Sequence, residues 1–408
     1  MGRSPIPPAS PSMPKHHRRH HEHHSPLAIM SMAKWLEVFY DLVFVAAILL
    51  FTTAAVHEHG GGVLWIVSVF ALAWWIWFET TVAANQFHLV DFFHRLLLLT
   101  QMVVIVLMAM EARLSVSKES TYVMGEYAVL LLTVATIGWR ASRAKDSAQA
   151  AYGASMARSN LLGAAGFFVA CFLPELGRLA LGAVVMVVLV SSSMKRLKAL
   201  EPFSEDHEEH LVERMAAFTL IVCGETFIKV AITVSHANIG SVNIVSIVVD
   251  FFLVLAIFSS YFGDFPTAGL YQRRLGWWTA LHLIAQIAIA STAAGITKVV
   301  VRSLSDNIPD SEILLLTAPF VVLLLAFAGL DLCTRRRPAL RLTAVRLFGA
   351  LAYAIVGVAA WKIPFIHYVE AIPLLGVVAV VEAIAVGRVE ATTTVLHADR
   401  LEAGLPAG

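Results

Sequence analysis

The chain has 408 residues, of which 58% are hydrophobic and 14% are charged, and its mean hydropathy is +0.74. Soluble proteins carry roughly 25% charged residues, so this composition excludes an ordinary water-soluble globular protein. The formal net charge of +1 gives no support to a nucleic-acid-binding surface. Three cysteines, an odd number, imply no disulfide framework. The sequence therefore predicts an integral membrane protein.

Residues 1–30 differ in composition from the rest of the chain, because they are rich in Pro, Ser and His and include a His/Arg-rich run at 16–24. We expect a disordered cytoplasmic tail that faces anionic lipid, and metal binding by these histidines is the alternative. The segment lacks the pattern of a removable signal peptide. A second disordered tail is expected at 396–408.

Apolar runs long enough to cross a bilayer recur along the rest of the chain. A crossing helix needs about 20 mainly apolar residues, and its backbone groups must be satisfied within the helix. The runs predict an all-α, polytopic transmembrane bundle of about twelve spans, of which the fifth and sixth are the weakest. They lie at 34–56, 63–82, 92–111, 121–139, 159–175, 178–194, 211–234, 242–262, 276–297, 312–331, 341–361 and 366–387.

The loops between these runs predict the orientation of the chain. Cytoplasmic loops collect Lys and Arg. If all twelve segments cross and the N-terminus is inside, the inner loops and tails hold a clear majority of these residues. Both termini are therefore predicted to be cytoplasmic. The acidic segment 201–210, between the sixth and seventh runs, is expected to be a solvated loop.

The two halves of the chain resemble each other. An aromatic residue in the opening helix, an aromatic helix end and a histidine in the third helix recur in both halves, at offsets of 179 to 188 residues. The pairs are Phe39 with Phe218, Phe78 with Phe262, and His94 with His282. We expect two six-helix repeats, 31–200 and 201–395, related by an axis along the membrane normal. The alternative is that aromatic and acidic helix ends are common interfacial anchors.

Polar residues also gather near the ends of the second, third and eighth helices. They are Glu79, His94, Arg95 and Asp264. We expect a salt bridge between Glu79 and Arg95 at the membrane interface. The neighbouring tryptophans are expected to form an aromatic belt at the same level; they are Trp74, Trp75 and Trp77.

Two segments resemble the signatures of a bacterial family. The run 35–45 (WLEVFYDLVFV) resembles the opening helix of the low temperature requirement A (LtrA) family, and the run from Glu213 to Glu225 resembles its second signature. The resemblance covers roughly residues 33–390. It implies a multipass membrane protein tied to bacterial growth at low temperature, and it supplies no substrate or reaction.

A fainter resemblance points to channels. The pattern Phe39-x-Asp41-x-Val43-Phe44 resembles the opening motif of endolysosomal-type potassium/proton channels, whose repeats begin with a Phe-Ser-Asp helix preceded by an arginine. Here the arginine spacing occurs only in the second half, where Arg214 precedes Phe218 by four residues.

Ionisable side chains within the apolar runs are candidate functional residues, because they are costly to place in lipid. Glu37 and Asp41 lie one turn apart on one face of the first helix. Glu37 is expected near the headgroups, whereas Asp41 lies deeper and needs a partner. Arg214, Glu225 and Lys229 share one face of the seventh helix. We expect Glu225 and Lys229 to form an ion pair.

The opening helices of the two halves are expected to meet. Arg214 would pair with Asp41 across that interface, with Phe39 and Phe218 packed beside them. His282, in the ninth helix, is a candidate proton relay, because histidine titrates near neutral pH. Further ionisable residues in apolar runs are Glu126, Asp250, Arg346, Glu370 and Glu382.

The predicted function is a transporter or channel in which protons or cations pass between the repeats. The candidate path residues are Glu37, Asp41, Glu225, Lys229 and His282. No nucleotide-binding loop of the P-loop type occurs, so transport would be gradient-driven or passive. The alternative is a membrane-embedded enzyme acting on a lipid or isoprenoid. The expected partners are the bilayer and a small ion or solute, with a homodimer left open, and no cofactor or metal is expected.

Overall fold

The computed structural model describes residues 32–57, 61–87, 91–112, 116–199, 205–236, 244–262, 274–300, 309–334, 339–363 and 368–402. The first tail and Asp264 lie outside these ranges. The described residues form twelve α-helices. They are α1 (Met32–His57), α2 (Gly61–Gln86), α3 (Phe92–Glu111), α4 (Val116–Ala141), α5 (Ser147–Ala170), α6 (Glu175–Ala199), α7 (Glu205–His236), α8 (Ile244–Phe262), α9 (Leu275–Val300), α10 (Asp310–Cys333), α11 (Ala339–Lys362) and α12 (Tyr368–Glu402).

Ten of the described helices, α1 to α4 and α6 to α11, are long and apolar enough to cross a membrane. This confirms the prediction of a polytopic all-helical bundle. Many large apolar side chains point away from the bundle, as expected of surfaces that contact lipid. The core is formed by aromatic and aliphatic side chains from both halves of the chain.

α5 lies antiparallel along the whole of α4, which is itself a candidate span. At one end, a Cβ added to Gly138 would lie 2.8 Å from the Gly153 carbonyl oxygen, so the two backbones are in direct contact. At the other end, the Cys171 thiol lies 3.6 Å from the Thr121 carbonyl oxygen. Small residues allow helices in membranes to approach this closely. α5 therefore extends over the same depth as α4, although it is less apolar.

The two halves repeat the same helix pairings. α1 packs on α3 as α7 packs on α9, and α4 packs on α5 as α10 packs on α11. The halves meet where α1 and α2 contact α7 and α9. These pairings agree with two parallel six-helix repeats, but the duplication itself stays a prediction.

Two helix limits differ from the expected ones. α7 begins at Glu205, so the prediction of a loop extending through His210 was wrong. Glu208 and Glu209 fall in the first turns of α7, where carboxylates are favourable because the helix N-terminus carries partial positive charge. α12 continues to Glu402, past residue 396 where the C-terminal tail was expected to begin.

Candidate functional site

The interface between α1 and α7 contains a buried ion pair. Arg214 Nη1 donates to Asp41 Oδ2 at 2.6 Å, and Nη2 donates to Asp41 Oδ1 at 2.7 Å. Both side chains are buried. This two-point geometry is the strong form of an arginine–carboxylate contact. The structure thus brings together the two residues that the sequence pattern paired.

Neighbouring groups complete this cluster. Trp77 on α2 donates its ring N–H to Asp41 Oδ1 at 2.8 Å. Glu37 Oε2 lies 3.6 Å from His210 Nε2 and 4.0 Å from Arg214 Nε. Trp77 was expected in an interfacial belt, but it is fully buried, as is Trp74, and Trp75 is also buried. The belt interpretation was wrong, because these rings are packed inside the protein and do not lie on its surface.

An aromatic layer lies next to the ion pair. The Phe218 ring centroid is 4.4 Å from that of Trp77 and 5.5 Å from that of Phe44. Phe39, in contrast, is 49% exposed. The prediction that Phe39 packs at this interface was therefore wrong. The face of α1 that meets α7 carries Asp41 and Phe44, and Phe39 lies off that face.

A second polar contact lies about three helical turns further along the same interface. Thr52 on α1 donates its hydroxyl to Glu225 Oε1 on α7 at 2.7 Å. Glu225 is 0% exposed, and its Oε2 atom has no hydrogen-bond partner in the described part of the chain. Lys229 is 5% exposed, and within the same ranges its ammonium nitrogen also lacks a hydrogen-bond partner. The expected direct pair between Glu225 and Lys229 is not formed, although the two charges are neighbours on the helix.

Three polar contacts between α1 and α7 join residues that are separated by the same number of residues in the sequence. Asp41 with Arg214, and Thr52 with Glu225, are each separated by 173 residues, and the numbers of Glu37 and His210 differ by the same amount. A constant offset means that the helices run parallel and in register. The ion pair and Glu225 are then separated by roughly 16 Å along the helix axis, at 1.5 Å per residue. The two carboxylates therefore share one interface but do not contact each other.

A polar network joins α2, α7 and α9 between these levels. Trp74 donates its ring N–H to Gln286 Oε1, and Gln286 Nε2 donates to Thr219 Oγ1 at 2.9 Å. Gln101 has an analogous place in the first half, where it donates to Thr133 Oγ1 at 2.8 Å and accepts from Thr80 at 3.2 Å. Such bonds satisfy buried polar groups and hold helices together in lipid.

His282 is hydrogen-bonded at both ring nitrogens. Nδ1 lies 2.9 Å from the Trp278 carbonyl oxygen, and Nε2 lies 3.0 Å from the Tyr261 hydroxyl. Because a carbonyl oxygen can only accept, Nδ1 carries the proton and Nε2 accepts from Tyr261. These bonds hold the ring in place on α9, apart from the contacts between α1 and α7 that involve Asp41 and Glu225.

The helix-end cluster is arranged differently from the prediction. Both carboxylate oxygens of Glu79 accept from Arg196 Nη2 on α6 at 3.0 Å. The predicted pair with Arg95 was wrong, because the partner comes from α6 and not from α3. His94 is buried at the start of α3, where its backbone N–H donates to the Asp91 carboxylate at 2.9 Å.

Sequence reasoning did not identify the hydrogen-bond partners of three candidate residues. They are Trp77 for Asp41, Thr52 for Glu225 and Arg196 for Glu79. Arg196 follows the predicted sixth run, 178–194, and so would fall in a cytoplasmic loop, but it is buried in the last turns of α6. Thr52 had a usable signal, because it precedes Glu225 by the same 173 residues that separate Asp41 from Arg214. Within the described ranges, no three His, Cys, Asp or Glu side chains are grouped so that they could hold a metal ion.

Comparison with known proteins identifies one related family. The family model described as "Bacterial low temperature requirement A protein (LtrA)" matches residues 32–386. No curated protein and no solved structure matches the chain. The matched region includes every contact described above.

Proposed function

The chain belongs to the bacterial low temperature requirement A family, and on that premise we propose that it moves protons or small cations across the membrane along the interface between α1 and α7. It is a multi-pass membrane protein, and this proposal concerns what it transports. The path would use Glu225 and Lys229, with Asp41 and Arg214 closing one end.

One observation carries the proposal: Glu225 and Lys229 each have a buried atom without a hydrogen-bond partner in the described part of the chain, at bilayer depth. Burying an ionisable group in this way is expensive. A purely structural pair would be expected to form a direct contact, as Asp41 and Arg214 do. Free hydrogen-bonding capacity at this level is what a transported proton or ion requires.

The aromatic layer supplies the barrier. The ring of Phe218 contacts those of Phe44 and Trp77 between the two polar levels, and these rings would narrow the path for water there. In the proposed mechanism this arrangement is the closed conformation. Opening requires α1 and α7 to separate, and the hydrogen bonds between Asp41 and Arg214 oppose that separation. We propose that both termini are cytoplasmic, so that the Asp41 end of the path faces the cytoplasm.

Liposome flux tests the proposal. Purified protein is reconstituted, and proton and potassium fluxes are measured for the unmodified chain, Glu225→Gln and Asp41→Asn. We expect the unmodified chain to increase flux over empty liposomes and Glu225→Gln to abolish the increase. A matched control is Glu382→Gln, since Glu382 is also buried but accepts from Ser260 on α8, away from α1 and α7.

The control variant should retain flux. Equal flux in the unmodified chain, Glu225→Gln and Asp41→Asn would contradict the proposal and would favour the lipid- or isoprenoid-modifying enzyme. Gel filtration in detergent establishes that each variant is folded before its flux is compared.

A further inference from the structure

A cavity of about 290 Å³ lies between α7 and α8. Its walls are almost entirely apolar, and two phenylalanine rings stand beside each other there with centroids 5.5 Å apart. Its lining includes Thr226, Phe227 and Val230 on α7, and Asp250, Phe251 and Val254 on α8. Its volume is at the lower end of the range of small-molecule sites.

Among the described residues that line this cavity, Asp250 is the only one with an ionisable side chain. It is 5% exposed, and its Oδ2 atom is buried without a hydrogen-bond partner in the part of the chain that the structure describes. Asp41 and Glu79, two other buried carboxylates, each have an arginine partner. Asp250 therefore presents an uncompensated carboxyl group to an apolar space.

We propose that this cavity binds an organic ammonium ion with a small apolar body. The carboxylate of Asp250 would bind the ammonium group, because this buried carboxylate has no cationic side chain beside it among the residues that line the cavity. The faces and edges of Phe227 and Phe251 would contact the apolar body and attract the cation through their ring quadrupoles. A neutral molecule would contact the apolar walls but leave the Asp250 carboxylate without a partner. An anion would be repelled by that carboxylate.

The ligand would enter from the outer surface of the bundle. Phe227 is 42% exposed and Phe251 is 54% exposed, so the cavity borders the surface that faces lipid. Amphipathic amines partition into the bilayer and would reach the site from that side. Glu225 and Lys229 do not line the cavity, so this site is independent of the proposed ion path, and either proposal can fail alone.

Two sources could supply an ammonium ion, namely a free amine and the headgroup of an amine lipid. Asp250 lies six residues into α8, roughly 9 Å from its first residue at 1.5 Å per residue. That depth is below the level of headgroups at the start of a crossing helix. The free amine is therefore the expected ligand.

Calorimetric titration of the full chain in a maltoside detergent tests the site, with benzyltrimethylammonium as the probe. We expect saturable binding to the unmodified chain, at least about tenfold weaker binding to Asp250→Asn, and little binding of neopentylbenzene, the uncharged molecule of the same shape. Glu382→Gln removes a buried carboxylate elsewhere on the bundle and should leave binding unchanged. Equal binding to Asp250→Asn, or equal binding of the neutral molecule, would overturn the proposal.

A second variant protects the test if Asp250→Asn does not fold. Val230→Phe fills the cavity and leaves the carboxyl group in place, and it should abolish binding of the probe. Unchanged binding by this variant would place the probe elsewhere and refute the site. Adding phosphatidylethanolamine to the micelles separates the two sources: we expect little displacement of the probe, whereas strong displacement would assign the site to a lipid headgroup.

Discussion

Arg214 on α7 holds both carboxylate oxygens of Asp41 on α1, at 2.6 and 2.7 Å, and so joins the opening helices of the two halves. Trp77 on α2 donates to the same carboxylate. Three helices therefore meet on one buried side chain.

Replacing one member of this pair should destabilise the protein strongly. Asp41→Leu removes the carboxylate that Arg214 hydrogen-bonds and leaves only Glu37 at 4.0 Å from the buried guanidinium, and the expected loss is about 3–5 kcal/mol of unfolding free energy. Thermal unfolding in detergent, followed by tryptophan fluorescence, measures the change. The double variant Asp41→Leu with Arg214→Met should recover part of the loss, because no uncompensated charge remains. A double variant as unstable as the sum of the two single variants would show that the pair is not coupled.

The aromatic layer gives a prediction with a natural control. Phe218→Ala removes a fully buried ring that contacts Phe44 and Trp77, and we expect a loss of about 3–5 kcal/mol. Phe39→Ala removes the same ring from an outward position that is about half exposed. Its effect should stay within about 0.5 kcal/mol. Comparable losses in the two variants, measured by the same unfolding assay, would contradict the assigned packing of α1 against α7.

The partner of Glu79 can be identified by a double-mutant cycle. Glu79→Gln and Arg196→Met should each destabilise the chain, and their effects should be non-additive by about 0.5–3 kcal/mol, because the side chains share two hydrogen bonds at 3.0 Å. The matched cycle uses Glu79→Gln with Arg95→Met, for which the effects should add. Coupling of Glu79 to Arg95 instead of Arg196 would contradict the arrangement of α6 against α2.

Close contact between α4 and α5 makes Gly138 sensitive to any side chain. A Cβ at this position would lie 2.8 Å from both the Gly153 carbonyl oxygen and the Ala157 nitrogen, so Gly138→Ala should force the helices apart and cost about 1–3 kcal/mol. Gly224→Ala is the control, because nothing lies within 4 Å of a Cβ there. Alanine favours helix over glycine by up to about 1 kcal/mol, so the control should be neutral or slightly stabilising. A Gly138→Ala variant as stable as the unmodified chain in thermal unfolding would rule out backbone contact.

The sequence alone predicted the class of protein and the helices, because both depend on local properties. A run of apolar residues must form a helix in lipid, since only a helix satisfies its own backbone hydrogen bonds. The pairing of Asp41 with Arg214 was also predictable, because each is costly to bury alone and both lie on opening helices. The fifth and sixth runs were the weakest predicted spans, and of the two helices that contain them, α6 is among the ten candidate spans and α5 is not.

Only the tertiary structure decided which side chains meet. Periodicity shows that a residue lies on a given face of its helix, but not which helix covers that face. Glu79 therefore pairs with Arg196 and not with Arg95. Phe44, and not Phe39, packs against Phe218. Glu225 accepts a hydrogen bond from Thr52 and forms no direct hydrogen bond with Lys229. These outcomes depend on contacts between residues far apart in the chain, and a rotation of one helix by a single residue changes the partner.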